Sequence, residues 1–131
     1  MGIDTPDLAA VDLAATAEPA AAASAAEWLT LAEIGGILGE SPSRVRRLLE
    51  DHFLIGSARS GSFRVPALFL KDGELIAPLR GTIMVLQDAG FSNDEAIDWM
   101  LSVDDTIGVA PIDALRAGRK SEVRRVARTL A

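Results

Sequence analysis

The pattern of apolar and polar positions from residue 28 onwards predicts a series of short amphipathic helices. The first predicted helix opens with the capping box Thr30–Glu33, in which each side chain bonds the other residue's backbone amide. Its apolar residues recur at i, i+3 and i+7, namely Leu31, Ile34 and Leu38. Gly39 follows the last of them and predicts the end of the helix.

A second helix is predicted directly after this glycine, with Ser41 as N-cap and Pro42 at the first helical position. Its apolar positions are Val45, Leu48 and Leu49. Two short helices joined by a tight turn that contains glycine form a helix-turn-helix, whose second helix meets base edges with its N-terminal half. The expected DNA contacts of this helix are Ser41, Ser43, Arg44, Arg46 and Arg47. A pair of packed helices with merely solvated arginines is the alternative.

Two strand-like runs, residues 54–59 and 62–65, follow the second helix and are separated by Ser60-Gly61. Glycine accepts the positive φ that a two-residue hairpin turn requires. The register with these two residues at the centre pairs Arg59 with Ser62 and Ser57 with Arg64. A hairpin directly after a recognition helix is a wing, here residues 55–65, and it contacts phosphates or a minor groove. Its expected DNA contacts are Arg59, Ser60 and Arg64; a solvated hairpin is the alternative.

The remaining chain predicts four further helices. They begin near Pro78, after the second capping box Ser92–Glu95, at Pro111 and near Arg119. The turn at 71–73 precedes them and is flanked by apolar runs that either add a small hairpin or return the chain across the first helices. Trp28 and Trp99 are expected to be core anchors. The predicted fold is α+β and mostly α, with a winged helix-turn-helix at 28–77 and a helical C-terminal domain of four helices at 78–131.

Charge is distributed unevenly over the 131 residues, whose formal net charge is -6. Residues 1–27 carry five acids and no base, and with many alanines and few bulky apolar residues they predict a disordered tail. Residues 72–113 carry nine acids and one base, whereas 114–131 carry six bases and one acid. We expect the basic last helix to bind this acidic segment internally; an extension of the DNA surface is the alternative. An acidic chain with local basic faces is neither a histone-like coat nor a polybasic membrane binder.

Composition excludes several kinds of site. The absence of cysteine excludes disulfides and thiolate metal sites, and the single histidine excludes a metal site with two imidazoles. There is no glycine-rich phosphate loop and no convincing pairing of catalytic groups, so we expect no enzyme, no metal and no other cofactor. No run of 18 apolar residues occurs, so we expect no membrane span and a cytoplasmic location.

The chain also resembles a known family. Residues 28–66 resemble the winged helix-turn-helix of the excisionase and MerR-like group. Residues 28–131 as a whole resemble a small actinobacterial family of winged helix-turn-helix DNA-binding proteins with a helical C-terminal domain. The segments that carry the resemblance include 28–34, 38–41, 45–48, 63–66, 95–101, 111–115 and 122–127. One position departs from the pattern, because the group has glycine shortly after the recognition helix where this chain has His52, which we interpret as a left-handed cap.

The residues and the resemblance together imply a transcriptional or chromosome-associated regulator that binds double-stranded DNA. Helix 42–50 would read the major groove, and the wing would contact the backbone or the minor groove. An antitoxin-like or adaptor-like module that binds a protein partner through residues 72–131 is the alternative. Thr5 and Thr16 in the acidic tail are candidate phosphorylation sites for a serine/threonine protein kinase, because each phosphate adds negative charge.

Overall fold

The structure, a computed structural model, describes residues 27–130, so the predicted tail with Thr5 and Thr16 lies outside the described residues. The elements in chain order are β1 (Trp28–Leu29), α1 (Leu31–Leu38), α2 (Pro42–Glu50), β2 (Val65–Pro66), a 3-10 turn (Ala67–Phe69), β3 (Leu70–Lys71), β4 (Glu74–Leu75), α3 (Leu79–Asp88), α4 (Asn93–Leu101), α5 (Pro111–Arg116) and α6 (Lys120–Arg128). The expected fold, mostly helical with small hairpin sheets, is confirmed.

Local hydrogen bonds explain where the first two helices begin and end. The Thr30 hydroxyl accepts a bond from the Glu33 amide at 3.1 Å, and the Glu33 carboxylate accepts one from the Thr30 amide at 2.8 Å. Gly39 ends α1 in the left-handed conformation, at φ 71°. The Ser41 hydroxyl then accepts a bond from the Arg44 amide at 3.2 Å and starts α2 with Pro42 as its first residue. The predicted helix-turn-helix is confirmed.

A short antiparallel ladder that the sequence pattern did not predict joins β1 to β2. Trp28 is the partner of Pro66, and Leu29 is the partner of Val65. Strands of two residues are too short to show an alternating pattern, so the sequence suggested only that Trp28 anchors the core. The tryptophan is half-buried and packs against the core while its backbone holds the base of the wing beside α1.

The wing is a minimal hairpin held by one bridge. Ser57 and Arg64 exchange two backbone hydrogen bonds, both of 2.9 Å, which confirms that part of the predicted register. The Gly61 amide donates to the Ala58 carbonyl at 2.9 Å, so the turn is centred on residues 59 and 60. The expected pairing of Arg59 with Ser62 is therefore wrong, because the turn closes one residue earlier than predicted.

Both halves of the chain share one hydrophobic core. The same cluster contains Val45 and Leu54 from the first half and Leu79, Ile97 and Val123 from the second. The four predicted C-terminal helices are present, and α4 begins with the capping box of Ser92 and Glu95. The turn at residues 71–73 does form a small hairpin, in which β3 pairs with β4. Packing across residue 77 is thus continuous.

Candidate nucleic-acid interface

The outer face of α2 is polar, basic and fully accessible. The buried side chains of α2 are Val45 and Leu48, and the opposite face of the helix therefore points to solvent. The exposed residues on it include all five predicted contacts: Ser41, Ser43, Arg44, Arg46 and Arg47. The structure therefore brings these five together on one surface.

The arginines of α2 form no ion pair within residues 27–130. Within residues 27–130, the ion pairs join Arg59 to Asp94, Arg59 to Asp98 and Arg119 to Glu122, and none of them includes an α2 arginine. At the start of the helix, the hydroxyl oxygens of Ser41 and Ser43 lie 3.3 Å apart. This face thus offers three cations and two small hydroxyl groups, and none of the three cations is held in an ion pair within residues 27–130.

The three predicted contacts on the wing have different surroundings. Ser60 is exposed at the turn, and the half-buried Arg64 donates from Nε to the Ser62 hydroxyl at 3.4 Å. Arg59 instead points towards α4, where its guanidinium bonds Asp98 at 2.7 Å. This hydrogen bond raises the pKa of Arg59 above its ordinary value, against the opposing effect of burial. Arg59 is therefore engaged within the chain, whereas Ser60 lies open to solvent.

The sequence reasoning missed a further arginine beside the recognition helix. Arg80, the second residue of α3, donates from Nε to the carbonyl oxygen of Asp51 at 2.8 Å, just after the end of α2. Its guanidinium lies 5.2 Å from the centroid of the Phe53 ring. The sequence does single this residue out, because Arg80 is the one base in segment 72–113, which carries nine acids. Arg80 extends the basic side of α2 with a residue from the C-terminal half.

The chain leaves α2 through a strained residue. His52 adopts φ 65°, which is the left-handed conformation. We expected this conformation because the family has glycine shortly after the recognition helix, where this chain has His52. Its amide donates to the Leu49 carbonyl at 3.2 Å, while the Phe53 amide donates to Leu48 at 2.9 Å. His52 thus occupies the position where glycine is expected and sets the direction in which the chain enters the wing.

The basic residues of the last helix make contacts of a different kind from those expected. Arg119 donates to the Ile107 carbonyl at 3.1 Å, and Arg124 donates to the Pro78 carbonyl at 3.5 Å. Arg124 is half-buried, and its guanidinium lies against Gly81 of α3. Within residues 27–130 none of the α6 bases pairs with a carboxylate of segment 72–113, so the internal contacts use backbone carbonyls.

Comparisons with known proteins agree with this architecture. A family model described as "DNA-binding protein Rv2175c, wHTH domain" matches residues 16–70. A second, described as "Rv2175c C-terminal domain of unknown function", matches residues 76–131. The chain belongs to the Rv2175c family. The resemblance to an actinobacterial winged helix-turn-helix family is thereby confirmed.

The sequence and the solved structure of Rv2175c show how far the similarity extends. The DNA-binding protein Rv2175c of Mycobacterium tuberculosis (strain ATCC 25618 / H37Rv) is 26% identical over 114 residues, which cover 77% of this chain and 78% of that protein. The NMR structure of Rv2175c superposes with a TM-score of 0.74 at 25% identity, and the match covers 80% of this chain and 81% of that one. The Rv2175c fold therefore extends over both halves of the chain.

Two further features are absent from the part of the chain that the structure describes. None of its helices is long and apolar enough to cross a lipid bilayer. None of its groups of histidine, aspartate and glutamate side chains is arranged to hold a metal ion.

Proposed function

We propose that this Rv2175c-family protein binds duplex DNA as a transcriptional or chromosome-associated regulator, with α2 in the major groove. One observation carries the proposal. Arg44, Arg46 and Arg47 all lie exposed on α2, and within residues 27–130 no carboxylate pairs with them. Unpaired arginines on an accessible helix are the groups that bind guanine edges and phosphates.

The individual contacts follow from position along α2 and the wing. Ser41 is the N-cap of α2 and Ser43 lies in its first turn, where small side chains allow close approach of the helix to the bases. The first-turn amides and the positive end of the helix dipole also favour a phosphate there. Ser60 and Arg64 of the wing lie over the backbone or a minor groove and add affinity that does not depend on base sequence.

The test is a titration of single variants with labelled duplexes at several salt concentrations. We expect Arg44→Ala and Arg47→Ala to weaken binding while thermal unfolding stays unchanged. Each lost phosphate contact lowers the slope of log affinity against log salt by about 0.9, and each lost base contact costs about 1–3 kcal/mol at one base pair. Arg125→Ala is the matched control, because Arg125 is an exposed arginine on α6. Equal losses in all three variants would mean that binding follows net charge, and would overturn the assignment of α2.

A second candidate function is supported by the excess of acidic residues in segment 72–113. The exposed carboxylates of segment 72–113 include Asp72, Asp88, Asp94, Asp98 and Asp105. These carboxylates would repel DNA and suit a basic protein partner, for which residues 72–131 would act as an adaptor. If random and specific duplexes both fail to bind at low salt, the adaptor function replaces the DNA-binding one.

A further inference from the structure

The guanidinium of Arg59 joins three segments that are distant in sequence. Nη1 lies 2.7 Å from Oδ1 of Asp98, and Nη2 lies 3.4 Å from Oδ1 and 3.2 Å from the backbone oxygen of Asp94. The same group lies 5.4 Å from the centroid of the Trp28 ring in β1. Nε donates to the Ser57 hydroxyl at 3.3 Å. An arginine of the wing is thus held by the strand before α1 and by α4 of the C-terminal half.

The two aspartates are placed so that both bind the guanidinium of Arg59. They are four residues apart on α4 and therefore lie on the same face of the helix. Asp94 lies in the first turn, where the helix dipole favours a negative charge. One guanidinium between two carboxylates leaves a net negative charge beside the wing, which approaches phosphate in the proposed complex with DNA.

The ion pairs of Arg59 with Asp94 and Asp98 are exposed to solvent, so another anion can replace the carboxylates. The side chains of Arg59, Asp94 and Asp98 are 37%, 56% and 63% exposed, so water and solutes reach every member of the cluster. An open cleft of about 610 Å³ between the wing and the start of α4 is lined by both Arg59 and Asp94. Exposed ion pairs are weak and are screened by salt, so a competing anion can displace them.

A DNA phosphate is an anion of the required kind. Phosphate and carboxylate oxygens present the same paired acceptors to a guanidinium fork. We propose that Asp94 and Asp98 form a phosphate-mimicking latch, which holds Arg59 at α4 in the free protein and must be exchanged for backbone phosphate when DNA binds. This inference rests on the proposed DNA-binding function and assigns the C-terminal half a role in it, because α4 lowers the affinity of the wing for DNA.

The decisive variant is Asp94→Asn combined with Asp98→Asn in the full chain. Asparagine keeps the size of the side chain and removes the charge. We expect tighter binding to a random-sequence duplex and a salt slope steeper by about 0.9, because the phosphate that Arg59 binds then releases its counterion without a displaced carboxylate taking one up in exchange. The gain should accordingly be about threefold to fourfold larger at 50 mM than at 200 mM salt. An unchanged slope, or weaker binding, would overturn the latch.

Two further variants separate the latch from a general charge effect. Asp88→Asn combined with Asp105→Asn changes the net charge equally at exposed positions that do not touch Arg59. An equal gain in this control would overturn the proposal. Adding Arg59→Ala to the Asp94 and Asp98 variant should abolish the gain in slope, and a gain that persists would also overturn it.

Different variants test the latch and the proposed function itself. Losses of affinity in Arg44→Ala and Arg47→Ala test α2 whether or not the latch exists. If those losses occur while the latch variants leave the slope unchanged, only the latch is rejected. If the double aspartate variant fails to fold, Asp98→Asn alone is used, since it removes the shorter of the two ion pairs, at 2.7 Å against 3.4 Å.

Discussion

A Cβ placed on Gly35 would lie 2.9 Å from the carbonyl oxygen of Glu40, so α1 and the turn that follows it touch through their backbones. The Glu40 amide donates to the Gly35 carbonyl at 2.9 Å and closes that turn. Gly36, the next residue, has open space where its Cβ would be. Two adjacent glycines of one helix therefore do different things, and only the first allows the close approach of the helix-turn-helix.

This difference predicts opposite effects of the same substitution. Gly36→Ala should raise the free energy of unfolding by about 0.5–1 kcal/mol, because alanine is the better helix former. Gly35→Ala should lower it by about 1–3 kcal/mol, because the turn must shift to admit the methyl group. Urea unfolding followed by circular dichroism measures both. Similar changes in the two variants would contradict the backbone contact between Gly35 and Glu40.

A second prediction concerns the strain at His52. We expect His52→Gly to be more stable than His52→Val by about 1–3 kcal/mol, because glycine tolerates φ 65° and a β-branched residue does not. Both variants lose the half-buried imidazole, so the lost packing is largely matched between them. Denaturant midpoints provide the comparison. Equal midpoints would mean that residue 52 does not occupy the left-handed conformation.

The sequence predicted contacts between residues that are close together in the chain, and it did not predict contacts between distant residues. Both capping boxes, Thr30–Glu33 and Ser92–Glu95, formed as expected because each closes within four residues. The outward face of α2 followed from the spacing of its apolar residues. The ladder of β1 with β2 and the contact of Arg59 with α4 join residues more than 30 positions apart. Only the tertiary fold brings such pairs together. A guanidinium binds phosphate and carboxylate equally well, so the residue type of Arg59 does not tell which of the two it contacts.

A third prediction separates two arginines of α6 that have the same charge. Arg124 lies half-buried against Gly81, and its Nε has no hydrogen-bond partner among the described residues, whereas Arg128 is exposed. Arg124→Glu should therefore lower the free energy of unfolding by about 1–3 kcal/mol, and Arg128→Glu should change it by less than about 0.5 kcal/mol. Thermal melts of both variants test this. A larger effect on DNA affinity than on stability in Arg124→Glu would instead place α6 in the DNA surface.

A fourth prediction concerns residues 1–27, most of which lie outside the described residues and which carry five acids and no base. A polyanion linked covalently to a DNA-binding face competes with phosphate at high effective concentration. Deletion of 1–27 should tighten DNA binding, and more so at low salt, where the competition is least screened. Phosphorylation of Thr5 or Thr16 by a serine/threonine kinase would add about -1.5 to -2 charges and act in the opposite direction to the deletion. An affinity that stays the same at both salt concentrations would leave residues 1–27 without a role in DNA binding.

The last prediction follows from Asp113, a half-buried carboxylate in the first turn of α5. Burial raises the pKa of Asp113 above its ordinary value, against the opposing charge of Arg116. Because the folded-state pKa is the higher one, the native protein binds more protons than the unfolded chain in the window above the ordinary carboxyl pKa. The contribution of Asp113 to stability must therefore fall as the pH rises through that window.

Replacing the carboxylate with its neutral analogue removes this dependence. Asp113→Asn should unfold at a higher temperature than the wild type at pH 7, and the difference should shrink as the pH is lowered towards the ordinary carboxyl pKa. The helix dipole acts in the other direction, since it favours a charge in the first turn. Asp105→Asn, at an exposed carboxylate, is the control. A difference between Asp113→Asn and the wild type that stays constant from pH 4 to 7 would show that burial does not control the titration of Asp113.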